Sequence, residues 1–382
     1  MTHTSLTKQC REYFPTPEQS GDFGIELEIE GTDLPMSISG WRAKNEPSLR
    51  DATRGGPGMC LEYVTNGAMK LETLSQRLSQ LHSVLTTSPT NVVLTPRAST
   101  HIHINAQRWT LREYFGFVFL FSVVEPLLLR LCGPSRNGNL FCLPISETGD
   151  LPRIVSMQAQ YLLRPAFDWP TRGRYASLNL DSLLTFGSLE VRCFPNSITP
   201  SDILSWCGWL QNIRTEIQST SEPTFSGLLN NAIENPNELV SKIFGEVPLD
   251  PAALQATPQE LIHLGAETGY EILRAMRPLF VPKEQAEALL TETLIHTSNR
   301  PPDDTEYLFV DEERADEENE VNEVNEEEVA RDEPTTELRT DNPVHHRFLH
   351  PTPAAVVESY VNWTTSRLAQ PVPRRPRLLP ED

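Results

Sequence analysis

Three short strings in this chain alternate apolar residues with acids, imidazoles or a guanidinium: Gly24-Ile25-Glu26-Leu27-Glu28-Ile29-Glu30, His101-Ile102-His103-Ile104 and Ser188-Leu189-Glu190-Val191-Arg192. Successive side chains of an extended strand point to opposite faces, so each string buries one face and offers its polar groups on the other. A further acid, Glu62, sits in Leu61-Glu62-Tyr63-Val64. Laid side by side, the polar faces of such strands merge into one acidic surface with an arginine beside it. Hard divalent cations want several carboxylate oxygens, and a guanidinium neutralises charge on a transferring phosphoryl group. The residue set suits phosphoryl or acyl-phosphate chemistry on a nucleotide–metal complex.

Each string also has a plainer meaning. Acids alternating with Ile and Leu describe a solvated strand face, and Glu190 with Arg192 describes a surface ion pair worth little. The first string, however, follows Gly24 in a segment otherwise too apolar for an edge. No third His or Cys lies near the histidine pair and no HExxH occurs, which argues against zinc. Neither a GxxxxGK[ST] loop nor a GxGxxG turn is present, which disfavours nucleotide binding through a P-loop or Rossmann unit, and GxSxG is absent. Arg136-Asn137, Arg174-Tyr175 and Asn179 lie where they could add phosphate or substrate contacts.

The elements that must position these groups follow from pattern. Strands are expected over Phe23 to Glu30, Met59 to Val64, Asn91 to Leu94, Thr100 to Asn105 and Phe186 to Phe194. Gly31 to Gly58 reads as a Gly- and Pro-rich loop, and residues 133–175 as irregular. A helix from Met69 to Leu85 carries Leu71, Leu74, Leu78 and Leu81 at 3–4 spacing. Thr110 to Cys132 is a helix with Thr110 and Glu113 as a capping box; Ser201 caps the helix to Gln218. Further helices are expected over Pro236 to Phe244, Pro258 to Met276 and Lys283 to His296.

The formal charge of -20 argues against sequence-independent binding to nucleic acid. It is concentrated between Asp303 and Glu333, where 16 acids face only Arg314 and Arg331. That segment reads as disordered, a solubilising linker or a dock for a basic protein partner. Ala354 to Leu368 has the pattern of a short amphipathic helix, and Pro371 to Pro380 is Pro- and Arg-rich. Six cysteines without CxxC pairing read as reduced thiols in a cytoplasmic protein, and no secretory signal is visible. The most apolar run, Tyr114 to Leu131, is broken by Glu125-Pro126 and Arg130, and reads as a buried core helix rather than a membrane span.

Taken in order, Gly24-Ile25-Glu26-Leu27-Glu28, Ser48-Leu49-Arg50, Leu61-Glu62-Tyr63-Val64, Thr100-His101-Ile102-His103-Ile104, Ser135-Arg136-Asn137-Gly138-Asn139, Arg174-Tyr175-Ala176-Ser177-Leu178-Asn179 and Gly187-Ser188-Leu189-Glu190-Val191-Arg192 form an ordered set. That set resembles the amidoligase family, carboxylate–amine ligases similar to glutamine synthetase and glutamate–cysteine ligase and found in phages and bacterial operons. The resemblance covers roughly residues 21–220. It implies an α+β fold: a curved antiparallel sheet of glutamine-synthetase-like catalytic type, helices packed on one face, ATP and Mg²⁺ or Mn²⁺ on the other. It implies metal binding by Glu26, Glu28, Glu62, His101 and Glu190, and catalytic roles for Glu28, Glu190 and Arg192. It places His101 or His103 near metal and phosphate and Arg192 on the nucleotide phosphates, with Arg174, Asn179 and Arg136, read from the residues above, as the further nucleotide contacts expected.

The expected reaction joins a small-molecule or peptide carboxylate to an amine through an acyl phosphate. A phosphotransferase using the same cradle, and a non-catalytic assembly protein acting through the acidic tail, are the rival functions. Neither nucleic acid nor membrane is expected as a partner. The chain departs from the family where Asp-Gly-Ser-Leu is replaced by Glu46-Pro47-Ser48-Leu49, since proline fixes φ where glycine allows a turn. The expected organisation is a flexible start (1–20), a catalytic core (21–245), a helical appendage (246–300), an acidic disordered linker (301–350) and a short helix with a Pro/Arg-rich tail (351–382).

Overall fold

Alternation of the kind seen in Phe23–Thr32 makes a two-faced strand, and this strand (β1) becomes the centre of an eight-stranded, open, antiparallel sheet. The computed structural model describes residues 19–49, 58–87, 89–136, 139, 142–148, 151–163, 176–220, 225–247, 249–281, 285, 286 and 289. The other strands are β2 (Ser37–Ile38), β3 (Trp41–Asn45), β4 (Met59–Thr65), β5 (Asn91–Val93), β6 (Ser99–Asn105), β7 (Leu178–Asn179) and β8 (Ser188–Pro195). Their order across the sheet is β2-β3-β4-β1-β6-β8-β7, with β5 pairing to the end of β1.

One face of this sheet is the core. Ile25, Leu27 and Ile29 of β1, Leu61 and Tyr63 of β4, Ile102 of β6 and Val191 of β8 are all fully buried. Helices close over them. The helix α1 (Leu71–Leu85) contributes Leu74, Leu78, Leu81 and Leu85, and α2 (Leu111–Leu131) contributes an almost continuous apolar surface to the same core. Both halves of the expected Thr110–Glu113 capping box are formed at the start of α2. Among the described helices α2 alone is long and apolar enough to cross a bilayer, and 83% of its most apolar window is buried inside the fold.

Several expectations change. Trp41–Asn45, assigned to a loop because Gly40 and Pro47 flank it, is a strand that pairs with β4. Residues 133–175 are not uniformly irregular: α3 (Ile145–Thr148) and α4 (Leu151–Leu163) lie there. Phe186 does not begin the strand but ends a short helix, α5 (Ser182–Phe186), and Gly187 makes the left-handed turn (φ 69°) into β8. Helix α6 (Pro200–Ser219) is entered from Thr199, with Pro200 in the first turn, so Ser201 is not its cap.

Beyond α6 run α7 (Ser226–Glu234), α8 (Pro236–Phe244), α9 (Pro251–Leu254) and α10 (Pro258–Met276). The last packs along α2 so closely that a Cβ on Gly265 would meet the Val123 carbonyl oxygen at 2.0 Å. Apolar residues of α10 belong to the same core as the sheet. The expected Lys283 to His296 helix (save residues 285, 286 and 289), the flexible start (save residues 19 and 20), the acidic segment and both features of the C-terminal tail lie outside the described residues.

Candidate functional site

The opposite face of the sheet carries the charged partners of the core residues, and strand register decides which of them meet. In β1–β4 pairing Glu28 lies opposite Glu62; in β1–β6 pairing Glu26 lies opposite His101 and Gly24 opposite His103. His103 in turn lies opposite Glu190 on β8, and Glu190 opposite Asn179 on β7. Residues far apart in the chain thereby share one surface. It is not a solvated one: Glu28, Glu30, Glu62, His101, Asn179 and Glu190 are all buried, and Glu26, His103 and Arg192 are nearly so.

Within this face nearly every group touches another. Glu28 Oε2 accepts from the Ser99 amide (2.8 Å) and hydroxyl (2.6 Å). Its hydroxyl proton thus committed, Ser99 accepts from His101 Nε2 at 2.8 Å. His101 Nδ1 stands between Glu26 Oε2 (3.4 Å) and Glu190 Oε1 (3.3 Å). His103 Nε2 is 3.3 Å from Glu26 Oε1, and its Nδ1 is 3.0 Å from Ser188 Oγ. Arg192 Nη1 meets Glu190 Oε1 at 2.6 Å, while Asn179 Nδ2 donates to Glu190 Oε2 at 2.7 Å. Lys44, from the strand that pattern reading missed, reaches Glu62 Oε2 at 2.5 Å.

These contacts set the charge states. Burial alone would raise the Glu26 carboxyl, but hydrogen bonds and charges from His101 and His103 outweigh it and hold it far below the usual carboxylate range. Burial likewise opposes the charged form of His103, yet the Glu26 hydrogen bond and the Glu190 and Glu26 charges raise it above its ordinary value. Glu190 is lowered despite its burial, chiefly by Arg192 and the two histidines. The cluster remains rich in negative charge: Glu30 Oε2 is buried with no hydrogen-bond donor, and Glu62 Oε2 has the Lys44 ammonium as its counter-charge. Such a surplus of buried carboxylates calls for a further cation.

Two sets of ligand atoms, each within 4.8 Å of one another, offer such a place: Glu26, His103 and Glu190, and Glu26, Glu62 and His101. Glu26 belongs to both. No family model and no curated protein matches this chain. What the site does must therefore be argued from its geometry.

Of the residues singled out from sequence, Glu26, Glu28, Glu62, His101, His103, Glu190, Arg192 and Asn179 are brought together. Arg136 is not among them. Its Nη2 donates to the Arg192 carbonyl at 2.7 Å, and the Cys142 and Cys193 thiols feel its charge, so it braces β8 from the core side. Arg174 lies outside the described residues. Glu46 accepts from the Ser48 amide (3.0 Å) and hydroxyl (2.5 Å), closing its own turn apart from the cluster. Ser99, Ser188, Arg42 and Lys44 were missed. A signal existed for the last two, since Arg42 and Lys44 alternate with Trp41 and Ala43.

Proposed function

We propose that this protein is an ATP- and Mg²⁺-dependent carboxylate–amine ligase of the cytoplasm, built on a curved sheet of glutamine-synthetase type. One observation carries the proposal: Glu26, Glu28, Glu62, His101, His103, Glu190 and Arg192 converge on one buried face, with Glu26 common to two ligand triads. A solvated charged strand would scatter such groups outward. The surplus of buried carboxylates fits divalent ions, which Glu26, Glu28, Glu62, His101 and Glu190 would hold. When bound, such ions offset the charge that builds up on nucleotide phosphates and on an acyl phosphate.

In the proposed reaction ATP enters as substrate and the substrate carboxylate oxygen attacks its γ-phosphorus. The bond to ADP breaks and an acyl phosphate forms. The amine nitrogen then attacks the acyl carbon and loses a proton, phosphate leaves with the bonding pair, and an amide results. The role of Arg192 is to neutralise charge on the phosphoryl group in flight, a task for which the Glu190 contact and the β8 backbone preorient it. Asn179 spends its amide on Glu190 and so acts by holding that carboxylate rather than by touching nucleotide. His103, whose charged form Glu26 and Glu190 favour, is suited to an anionic phosphate oxygen.

The test is ADP release across mixtures of acids and amines. A ligase turns over only when both are present, whereas a phosphotransferase needs one. Glu28→Gln and Arg192→Ala are expected to abolish turnover while leaving the far-ultraviolet circular dichroism unchanged. Undiminished ADP production in both variants overturns the assignment.

A further inference from the structure

A cleft of about 220 Å³ opens beside the cluster, and Glu26 and His103 form one of its walls. Two small residues make its floor. Gly24 presents no side chain on a face otherwise carrying Glu and His, and Val64, opposite Glu26 on β4, offers an apolar one. A Cβ at Gly24 would make only ordinary contact, at 3.5 Å, with His103 Cβ and Thr65 Oγ1, so the space there is not needed by the fold.

The charges around the floor are of both signs. Register places Arg42 beside Val64 and Val64 beside Glu26, so a cation and an anion stand on either side of an apolar residue. Two strand spacings separate them, about 10 Å between α-carbons, a gap that their side chains close to the size of a small zwitterion. Lys44, the next cation on β3, is taken by Glu62; the Arg42 guanidinium, by contrast, has no ion pair among the described residues and lines the cleft.

Phe186 adds an apolar wall beside the polar Gln19, Thr65, Asn105 and Ser188. Phe186 is 49% exposed, unusual for so large an apolar side chain in this fold. Its place is fixed by the turn at Gly187, where a Cβ would collide with Gln107 Cγ at 2.4 Å. The Phe186 and His103 rings stand perpendicular, with centroids 5.7 Å apart and planes at 89°, and both line the cleft.

We infer that this cleft seats a free α-amino acid with an apolar or aromatic side chain. Its ammonium lies toward Glu26, its carboxylate toward Arg42, and its side chain against Phe186 and Val64. A second carboxylate on the ligand would be set against Glu26 or against the Phe186 ring. A diamine would be set against Arg42. In the reaction the bound molecule is the amine substrate, delivered next to the face where the acyl phosphate forms; that role rests on the ligase assignment, whereas the binding does not.

The experiment is calorimetric titration of the full-length protein, without nucleotide or metal, using L-phenylalanine, 3-phenylpropionate, phenethylamine and L-glutamate. L-Phenylalanine is expected to bind, and each compound lacking one charge to bind about tenfold or more weakly. L-Glutamate is expected to be weaker by a similar factor, having no apolar body for Phe186. Arg42→Gln and Phe186→Ala should each weaken L-phenylalanine about tenfold, and Gly24→Val, which fills the floor, should remove binding. No binding of L-phenylalanine, equal binding of either half-molecule or of L-glutamate, or indifference to all three variants overturns the inference. ATP turnover without amino-acid binding would sink the inference and spare the ligase; amino-acid binding without turnover in any mixture would do the reverse.

Discussion

Replacing Glu125 by glutamine should stabilise this protein, and by more as pH rises. Glu125 projects from α2 into the core and is 2% exposed. Its two oxygens accept from the Ile145 amide at 2.9 and 3.0 Å, and the Ser177 hydroxyl donates to Oε1. Burial pushes the carboxyl up to about 8, only partly offset by the Ser177 and Ile145 hydrogen bonds, with Glu147 adding like charge. The unfolded chain releases this proton near the ordinary value of 4.5, while the folded chain keeps it until about 8. Between those values the native state binds more protons than the unfolded one, so stability falls as pH rises, by about 1.4 kcal/mol per pH unit.

Summed over the interval, the wild type loses on the order of 4–5 kcal/mol from this one group, and about 3 kcal/mol of it by pH 7. Glutamine never ionises. Its oxygen can still accept from Ile145, and its amide can donate to Ser177 Oγ. The two proteins should therefore differ by no more than about 1 kcal/mol at pH 4, one hydrogen bond's worth. The gap should then widen in favour of the variant up to pH 8 and level off. Urea unfolding followed by circular dichroism from pH 4 to 9 measures this directly, because every other titration cancels in the difference. Parallel stability curves, or a gap that narrows with pH, would refute the reasoning.

Because Glu26 belongs to both ligand triads, Glu26→Gln should remove all tight Mn²⁺ binding, whereas Glu62→Gln and Glu190→Gln should each remove part of it; paramagnetic resonance titration counts the free ion. His103 is raised above its ordinary value, so its charged contact with Glu26 is complete below about pH 6.5 and is lost as pH climbs through the raised value. A cation on Glu26 competes with that positive charge, so Mn²⁺ affinity should increase with pH across the same range. Gly265→Ala should lower the unfolding free energy by about 1–3 kcal/mol, since its methyl group has to push α10 off the Val123 carbonyl. A thermal melt unchanged from wild type would contradict the close packing of the two helices.

Much of the candidate site was legible because alternation is a local property. Glu26, Glu28, His103, Glu190 and Arg192 each lie between residues that are apolar enough to be core. The Thr110–Glu113 box is likewise written within four residues. What escaped was context. Trp41–Asn45 is flanked by Gly40 and Pro47, and only pairing with β4 makes it a strand and aims Lys44 at Glu62. Arg136 reads like a phosphate contact, yet it is buried with its guanidinium on the Arg192 carbonyl and near the Cys142 and Cys193 thiols. The packing of α10 on α2 rests on glycines whose meaning depends on the neighbour they admit.

By itself, the amino-acid order determined which side chains share a face within each strand, because a two-residue period needs nothing beyond the strand itself. It could not say which strands are neighbours. The order β4-β1-β6-β8 and its registers are non-local choices, made by how the apolar faces pack together under α1 and α2. Those choices bring Glu62, Glu26, His101 and Glu190 within reach of one another, since carboxylates and imidazoles act over a few ångströms of space and not along the chain.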